Sequence, residues 1–376
     1  MSQIDVLLMT DNSIDTIGGS EESTKIIING LKHDYRLGVI QPGNITKPES
    51  LVHYFPISKE TRLKTIFKNP FKFLSYILKV KKIINETNPR IIHTQSQVSF
   101  FIVSLLRKLR MIPQYIKFFH TERGLYIWYP TFFKNLFKFF MTELDVLITT
   151  TQLNLNYWKK ALNSNAYESL NYRVIRNTAG KIFEEFDLNK RKKRDKIVVS
   201  FAGRLSEQKN WPLAVTIVEK LYKELGDNLE VLMAVGCLDE KSRIKTKDMF
   251  KKLNSKLGNN FKGMVNLNLE QMDEFYYRTD IFIITSLPNS ESFGRTVIEA
   301  MSRKCVVLST DAGGPTEIIN NKKNIMNSPQ EFVGRILELY KDKELFQRES
   351  NLGYENFKNN FSLESNIKAH YDLYKD

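Results

Sequence analysis

Cysteine is nearly absent: Cys237 and Cys305 are the only two in 376 residues. Two thiols exclude a disulfide framework and any cysteine-rich metal site, and they suit a reducing compartment. The five histidines are scattered and no Asp-x-Asp pair occurs, so neither a metal nor any other cofactor is expected. Long apolar runs are missing too. The longest apolar patch, Val98 to Leu106, is too short to span a bilayer and ends in Arg107-Lys108. The start, MSQIDVLLMTDN, acquires acids at once and lacks a basic segment and a long apolar core, so it does not read as a signal peptide. These absences point to a soluble, cytoplasmic protein, and the length suits two domains, each able to bury its own core.

Basic charge is abundant. The net charge is +14, and between Lys59 and Lys138 there are 16 Lys or Arg against 3 acids, an excess of 13. A solvated basic face is one reading, and an anionic membrane surface or nucleic acid are the others. Aromatic residues are interleaved here (Phe67, Phe71, Phe73 and Tyr76, then Phe132, Phe133, Phe137 and Phe139). Apolar residues beside lysine suit an interfacial helix better than a phosphate-reading groove, so a membrane partner is expected and nucleic acid is not.

The stretch from Pro288 to Ile319 organises the rest. A buried strand, Ile281 to Ile284, leads into Glu291-Ser292-Phe293-Gly294-Arg295-Thr296, a helix opens near Thr296 and carries Glu299, and a strand, Val306 to Leu308, follows. The amides of a helix N-terminus favour an anionic phosphate. Two carboxylates beside it repel phosphate and suit hydroxyls instead. A phosphate next to hydroxyls describes a nucleotide-sugar.

Elsewhere strands alternate with helices: Ile4 to Met9, Tyr35 to Ile40, Arg90 to His93, Tyr115 to Phe119, Val146 to Thr149, Asn171 to Asn177, Ile197 to Ala202 and Leu229 to Val235. That is the pattern of parallel sheets covered by helices, with ligand groups at the carboxyl ends of strands. His93 and His120 are placed at such ends. Gly18 and Gly19 occupy the first strand-to-helix turn, with Ser20 as helix cap. Arg204 and Lys209 follow the Ile197 strand, where two cations can neutralise a diphosphate or simply be solvated. A charge-dense connector is read from Phe183 to Lys196, an exposed helix from Lys241 to Lys256, and two or three helices from Glu331 to Tyr374.

The ordered set Glu291, Phe293-Gly294, Glu299, Ala300-Met301 and Gly313-Gly314-Pro315-Thr316-Glu317 resembles the donor-site signature of retaining GT-B glycosyltransferases, specifically glycosyltransferase family 4. The resemblance implies an α/β fold of two facing Rossmann-like domains with parallel sheets and a cleft between them. The first, acceptor-side domain is expected over residues 1–185 and the donor domain over 186–361. A last helix, 362–376, is expected to pack back on the first domain. The implied function is retaining, metal-independent transfer of a hexosyl group from a nucleotide-sugar, a UDP-hexose or UDP-N-acetylhexosamine, to a bacterial surface glycan, teichoic acid or lipid-linked acceptor at the inner face of the membrane. A 2-epimerase on the same fold and a non-catalytic basic membrane- or nucleic-acid-binding protein are the alternatives.

By the same resemblance His120 and Glu291 are catalytic, His120 against the donor sugar. Gly18, Gly19, Arg204, Lys209, Ser292, Phe293, Gly294, Arg295, Thr296 and Glu299 bind the donor. His93 is structural or acceptor-side. The sequence departs from the family in Thr178 and Lys304, where glycine is usual, in Val306, where proline is usual, and in the charged Arg295.

Overall fold

The computed structural model describes residues 4–16, 18–191 and 194–375. The first three residues, residue 17, the last, and residues 192 and 193 of the expected connector lie outside the described residues. The chain divides into two compact units: Met1–Asn177 with Glu364–Asp376, and Thr178–Leu363.

Unit 1 is a seven-stranded sheet of β1 (Val6–Met9), β2 (Leu37–Gln41), β3 (Val52–Pro56), β4 (Ile91–Thr94), β5 (Lys117–Glu122), β6 (Val146–Thr149) and β7 (Asn171–Val174), in the order β3-β2-β1-β4-β5-β6-β7. Every pairing is parallel. Its helices are α1 (Gly19–Leu31), α2 (Leu63–Ile66), α3 (Pro70–Thr87), α4 (Gln97–Lys108), α5 (Thr131–Met141) and α6 (Gln152–Ala161). Side chains of β1 alternate between two apolar clusters, Leu7 and Met9 under α3, α4 and α5, Val6 and Leu8 under α1. A strand buried on both faces reads as an unbroken apolar run for this reason.

Unit 2 holds a five-stranded parallel sheet of β8 (Ile197–Arg204), β9 (Leu229–Gly236), β10 (Phe261–Val265), β11 (Ile281–Ile284) and β12 (Val306–Ser309), in the order β10-β9-β8-β11-β12. Around it lie α7 (Trp211–Leu225), α8 (Glu240–Leu257), α9 (Leu269–Tyr277), α10 (Arg295–Ser302), α11 (Gly314–Ile319), α12 (Pro329–Lys341) and α13 (Lys343–Asn360). The chain ends in α14 (Leu363–Lys375). Two parallel-sheet α/β domains of this kind agree with the GT-B fold that the resemblance implied.

Several local expectations change. Helix α1 starts at Gly19 with Gly18 as its cap, and the Ser20 hydroxyl donates to Glu21 Oε2 at 2.8 Å instead of capping. The stretch read as a charge-dense connector is not a free tether. Phe183 is fully buried, the Tyr277 hydroxyl accepts from the Asp187 amide at 2.8 Å, and Arg191 and Arg194 donate to the carbonyls of Arg303 and Arg278. Lys190 and Lys196 reach side chains of the same unit, Asp273 at 3.4 Å and Asn260 at 2.6 Å. Lys304, where glycine was noted as usual, has φ +57°, so an L side chain is held in the left-handed region. Its ammonium lies 5.0 Å from the Phe186 ring centroid and 5.2 Å from that of Tyr354.

His93 is the third of four residues in β4 and His120 the fourth of six in β5, so both lie inside strands and both are fully buried. His93 is part of the seat of α14: its Nδ1 pairs with the Tyr374 hydroxyl at 2.6 Å and its Nε2 with Thr121 Oγ1 at 2.8 Å. His370 of α14 is beside it, with ring centroids 6.3 Å apart.

Burial holds both imidazoles below the ordinary value of 6.5, His370 at about 4. A group that stays neutral when folded but takes up a proton when unfolded contributes fully above about pH 6.5 and progressively less as pH falls towards 4. The His370 shift corresponds to roughly 3 kcal/mol. Stability measured by urea unfolding should therefore fall between pH 6.5 and 4 more steeply for the wild type than for His370→Gln. Equal slopes would show that His370 is not held neutral.

Candidate functional site

In a doubly wound parallel sheet, adjacent strands whose connections depart in opposite directions leave a crevice at their carboxyl ends. In unit 2 that place is between β8 and β11. A small cavity lies there, lined by Phe201, Ala202, Lys209, Trp211, Thr285 and Ser286.

Lys209 stands in the turn after β8. Its carbonyl accepts from Thr285 Oγ1 at 2.9 Å, and its ammonium donates to Glu291 Oε1 at 2.6 Å. Ser286, two residues beyond β11, also donates to Oε1 of Glu291. Glu291 is 7% exposed, and a carboxylate that far from water needs a cation and a hydroxyl as partners. Gln208 fastens the same loop by accepting from the Leu287 amide at 2.9 Å and donating to the Ser290 carbonyl at 2.6 Å.

A second segment closes on this loop. The Glu291 amide donates to the Ala312 carbonyl at 2.9 Å, and the Gly314 amide to the Glu291 carbonyl at 2.8 Å. Glycine is required here. A Cβ on Gly314 would come within 2.4 Å of the Ser292 carbonyl oxygen, and Gly294, at φ +91°, would place one 2.8 Å from Pro315. Gly294 caps α10 without a side-chain hydrogen bond, so the helix opens on backbone amides. Ser292 and Thr296 are half-buried beside it. The Phe293 side chain turns inward, its ring 5.9 Å from that of Phe361, and anchors the loop from below.

Glu299 lies on the fifth position of α10. Arg295, one helical turn earlier, approaches Oε1 at 3.2 Å through Nε, and the Tyr276 hydroxyl donates to Oε2 at 3.1 Å. Burial and the neighbouring Glu299 carboxylate raise the Tyr276 phenol well above its ordinary value, so it stays a donor. Arg295 also donates to the Ala179 carbonyl at 2.8 Å, so this charge folds inward along the helix. Arg204, the last residue of β8, is exposed. Unit 2 thus brings Lys209, Glu291, Ser292, Gly294, Arg295, Thr296 and Glu299 to one sheet end. Both carboxylates are paired with cations, which removes much of their repulsion towards an anion.

Unit 1 has its own switch point between β1 and β4, and a carboxylate fills part of it. Asp11 accepts from the amides of Val98 and Ser99 at 2.9 and 2.8 Å at the start of α4, and burial raises its pKa. At the opening of α1, Glu21 accepts from Asn12 and Ser20, and its Oε2 lies 2.1 Å from where a Cβ on Gly18 would stand. Gly18 makes room for that carboxylate, while the space beside Gly19 is open.

His120 is stacked on Phe100 at 4.6 Å, with Nδ1 at 2.9 Å from Thr94 Oγ1 and Nε2 at 3.3 Å from Glu122 Oε2. The carboxyl end of β5 instead presents Arg123, which donates to Asn177 at 3.0 Å and Gln95 at 2.8 Å.

Asp11, Ser286 and Tyr276 escaped sequence reasoning. For Ser286 a signal existed, since it follows a buried strand. Tyr276 and Asp11 act through partners 23 and 87 or more residues away.

Residues 183–356 match the family described as Glycosyl transferases group 1. An uncharacterised glycosyltransferase of Methanocaldococcus jannaschii is 26% identical over 281 residues, which cover 68% of this chain and 64% of that relative. The chain thus spans less than two thirds of that relative's length. Among solved structures, the sucrose-phosphate synthase of Thermosynechococcus elongatus superposes with a TM-score of 0.80 at 14% identity, covering 99% of this chain and 98% of that one. Anabaena HepE, solved in complex with UDP-glucose, gives a TM-score of 0.70 at 16% identity over 98% of each chain.

The contact at Gly314 makes a direct prediction. Gly314→Ala must displace backbone at Ser292, which should destabilise unit 2 by about 1–3 kcal/mol in urea unfolding. An unchanged midpoint would mean that the two segments are not locked together.

Proposed function

We propose that the chain is a retaining glycosyltransferase of the family 4 type. Its donor is a nucleotide-sugar, UDP-hexose or UDP-N-acetylhexosamine, and its acceptor a surface glycan, a teichoic acid or a lipid-linked saccharide. The observation that supports this most is the closed pair of segments at the β8–β11 switch point, where helix amides, Lys209 and two cation-paired carboxylates share one sheet end. The family match over residues 183–356 and the likeness to a fold solved with UDP-glucose point the same way.

In this reading the diphosphate lies at the amides that open α10, with Arg204 and Lys209 as its cations. An ammonium has three donors, so Lys209 can hold Glu291 and meet a phosphate oxygen together. Glu291 keeps Oε2 for a sugar hydroxyl, and Glu299 addresses the ribose. The anomeric carbon–oxygen bond to phosphate breaks while the acceptor oxygen bonds to the same face of that carbon. The acceptor's proton passes to the departing phosphate oxygen, so no side-chain base is needed. Charge developing on the leaving group is met by fixed donors. Because the cations are protein side chains, the proposed transfer is metal-independent. His120 keeps in this reading the role the resemblance implied, against the donor sugar, with its ring oriented by Thr94 and Glu122, and the turn at Gly18 and Gly19 remains a candidate contact for donor or acceptor.

The test is incubation with α-linked nucleotide-sugars and acceptor glycans. The reading expects an α-linked product, transfer that persists in EDTA, and at least a hundredfold lower turnover for folded Glu291→Ala, about 2.7 kcal/mol. A β-linked product by proton NMR, or activity abolished by EDTA, would contradict it. An isomeric sugar without transfer would favour epimerisation.

A further inference from the structure

Helix α3 is well delimited: Asn69 caps it by accepting from the amides of Phe71 and Lys72 at 3.0 and 3.1 Å, Pro70 opens it, and Asn88, at φ +40°, ends it. It carries two apolar stripes. Tyr76, Val80 and Ile84 are buried in the core of unit 1. Phe71, Leu74 and Leu78 recur at i, i+3 and i+7; they are 83, 55 and 49% exposed. With 3.6 residues per turn, the two stripes fall on opposite sides of the helix. Scattered exposed apolar side chains are ordinary, but an aligned stripe opposite the buried face is not explained by the fold.

Helix α5 repeats the arrangement. Phe137, Phe140 and Met141 are buried, while Phe132 and Phe139, seven apart, are exposed. Both helices pack into the same apolar cluster, so the two stripes belong to one helical layer. The surroundings are basic. Eight Lys or Arg and one acid, Glu60, fall between Lys59 and Lys82. Lys64 and Lys68, just before α3, and Lys72 in its first turn are exposed, and Lys108 lies 4.5 Å from the Phe139 ring centroid. Lys72 pairs with Glu60 at 2.9 Å and Lys82 with Glu86 at 3.7 Å, exposed pairs of the kind that contribute little.

We propose that this layer of unit 1 docks on an anionic lipid bilayer, with Phe71, Leu74 and Leu78 entering the interface and the flanking lysines among the headgroups. Leu74 and Leu78 have no ring face on which a base could stack, so the stripe suits hydrocarbon and not nucleic acid. A second copy would have to bring the same positive charge against itself, whereas an anionic surface complements it. The proposal stands apart from the donor reading, and its test uses no sugar chemistry.

The experiment is co-sedimentation with phosphatidylcholine vesicles, with and without phosphatidylglycerol, across a salt series. The wild type should bind only the anionic vesicles and lose binding as salt rises. The variant Phe71→Ser/Leu74→Ser/Leu78→Ser, which keeps every lysine and touches only exposed positions, should bind at least about tenfold more weakly while its circular dichroism and unfolding midpoint stay the same. Lys64→Gln/Lys68→Gln should bind more weakly at low salt. Absent binding, equal binding to neutral vesicles, or undiminished binding by the serine variant would overturn the proposal. So would concentration-dependent self-association of the wild type that the serine variant loses, which would make a second copy the occupant.

Discussion

The ion pair between Lys209 and Glu291 is the contact on which the candidate site depends. Both side chains are largely shielded from water, and the pair joins the turn after β8 to the loop after β11, the two strand ends that flank the switch point. Removing either partner would leave the other charge in a poorly solvated place, at a cost on the order of 3–5 kcal/mol if fully buried and less at this exposure. The backbone bonds of Glu291 to Ala312 and Gly314 then bring in the segment after β12, so one residue ties three strand ends together. The opening of α10 is fixed as a consequence of that tie.

The two units use the same architecture differently. In unit 1, the helix that opens after β4 has its first amides occupied by Asp11, and the turn after β1 is filled by Glu21. In unit 2, α10 opens on Gly294 without a side-chain cap. Its carboxylates point elsewhere, each matched with a cation and a hydroxyl: Glu291 with Lys209 and Ser286, Glu299 with Arg295 and Tyr276. Positive potential from helix amides thus meets a buried carboxylate in unit 1, whereas α10 of unit 2 has no side-chain cap.

Much of the fold was legible because most strands are buried on both faces and read as apolar runs. Two of the four edge strands did not read this way. Val52–Pro56 and Phe261–Val265 end their sheets, are partly exposed, and were absent from the sequence-based expectation. At the candidate site, glycines and carboxylates were visible through their spacing. Their pairing was not, because Lys209 and Glu291 are 82 residues apart and no local pattern encodes such a contact. The position of His120 shifted for a related reason: apolar neighbours place a strand but not its last residue, and His120 falls inside β5 while Arg123 follows its end. The stretch that holds Arg191 and Arg194 read as a charge-dense connector because their acceptors, the carbonyls of Arg303 and Arg278 and the distant Asp280 carboxylate, leave no local mark in the sequence.

The central claim is that an anionic nucleotide binds unit 2 where α10 opens, on the segments that Glu291 ties together. Hydrogen–deuterium exchange of the whole chain with and without UDP tests this most directly. The account predicts slowed exchange of amides across 292–297 and 312–316, with little change at the start of α4, whose first amides Asp11 already holds. Protection confined to unit 1, or binding that leaves the amides at the opening of α10 unchanged, would contradict it.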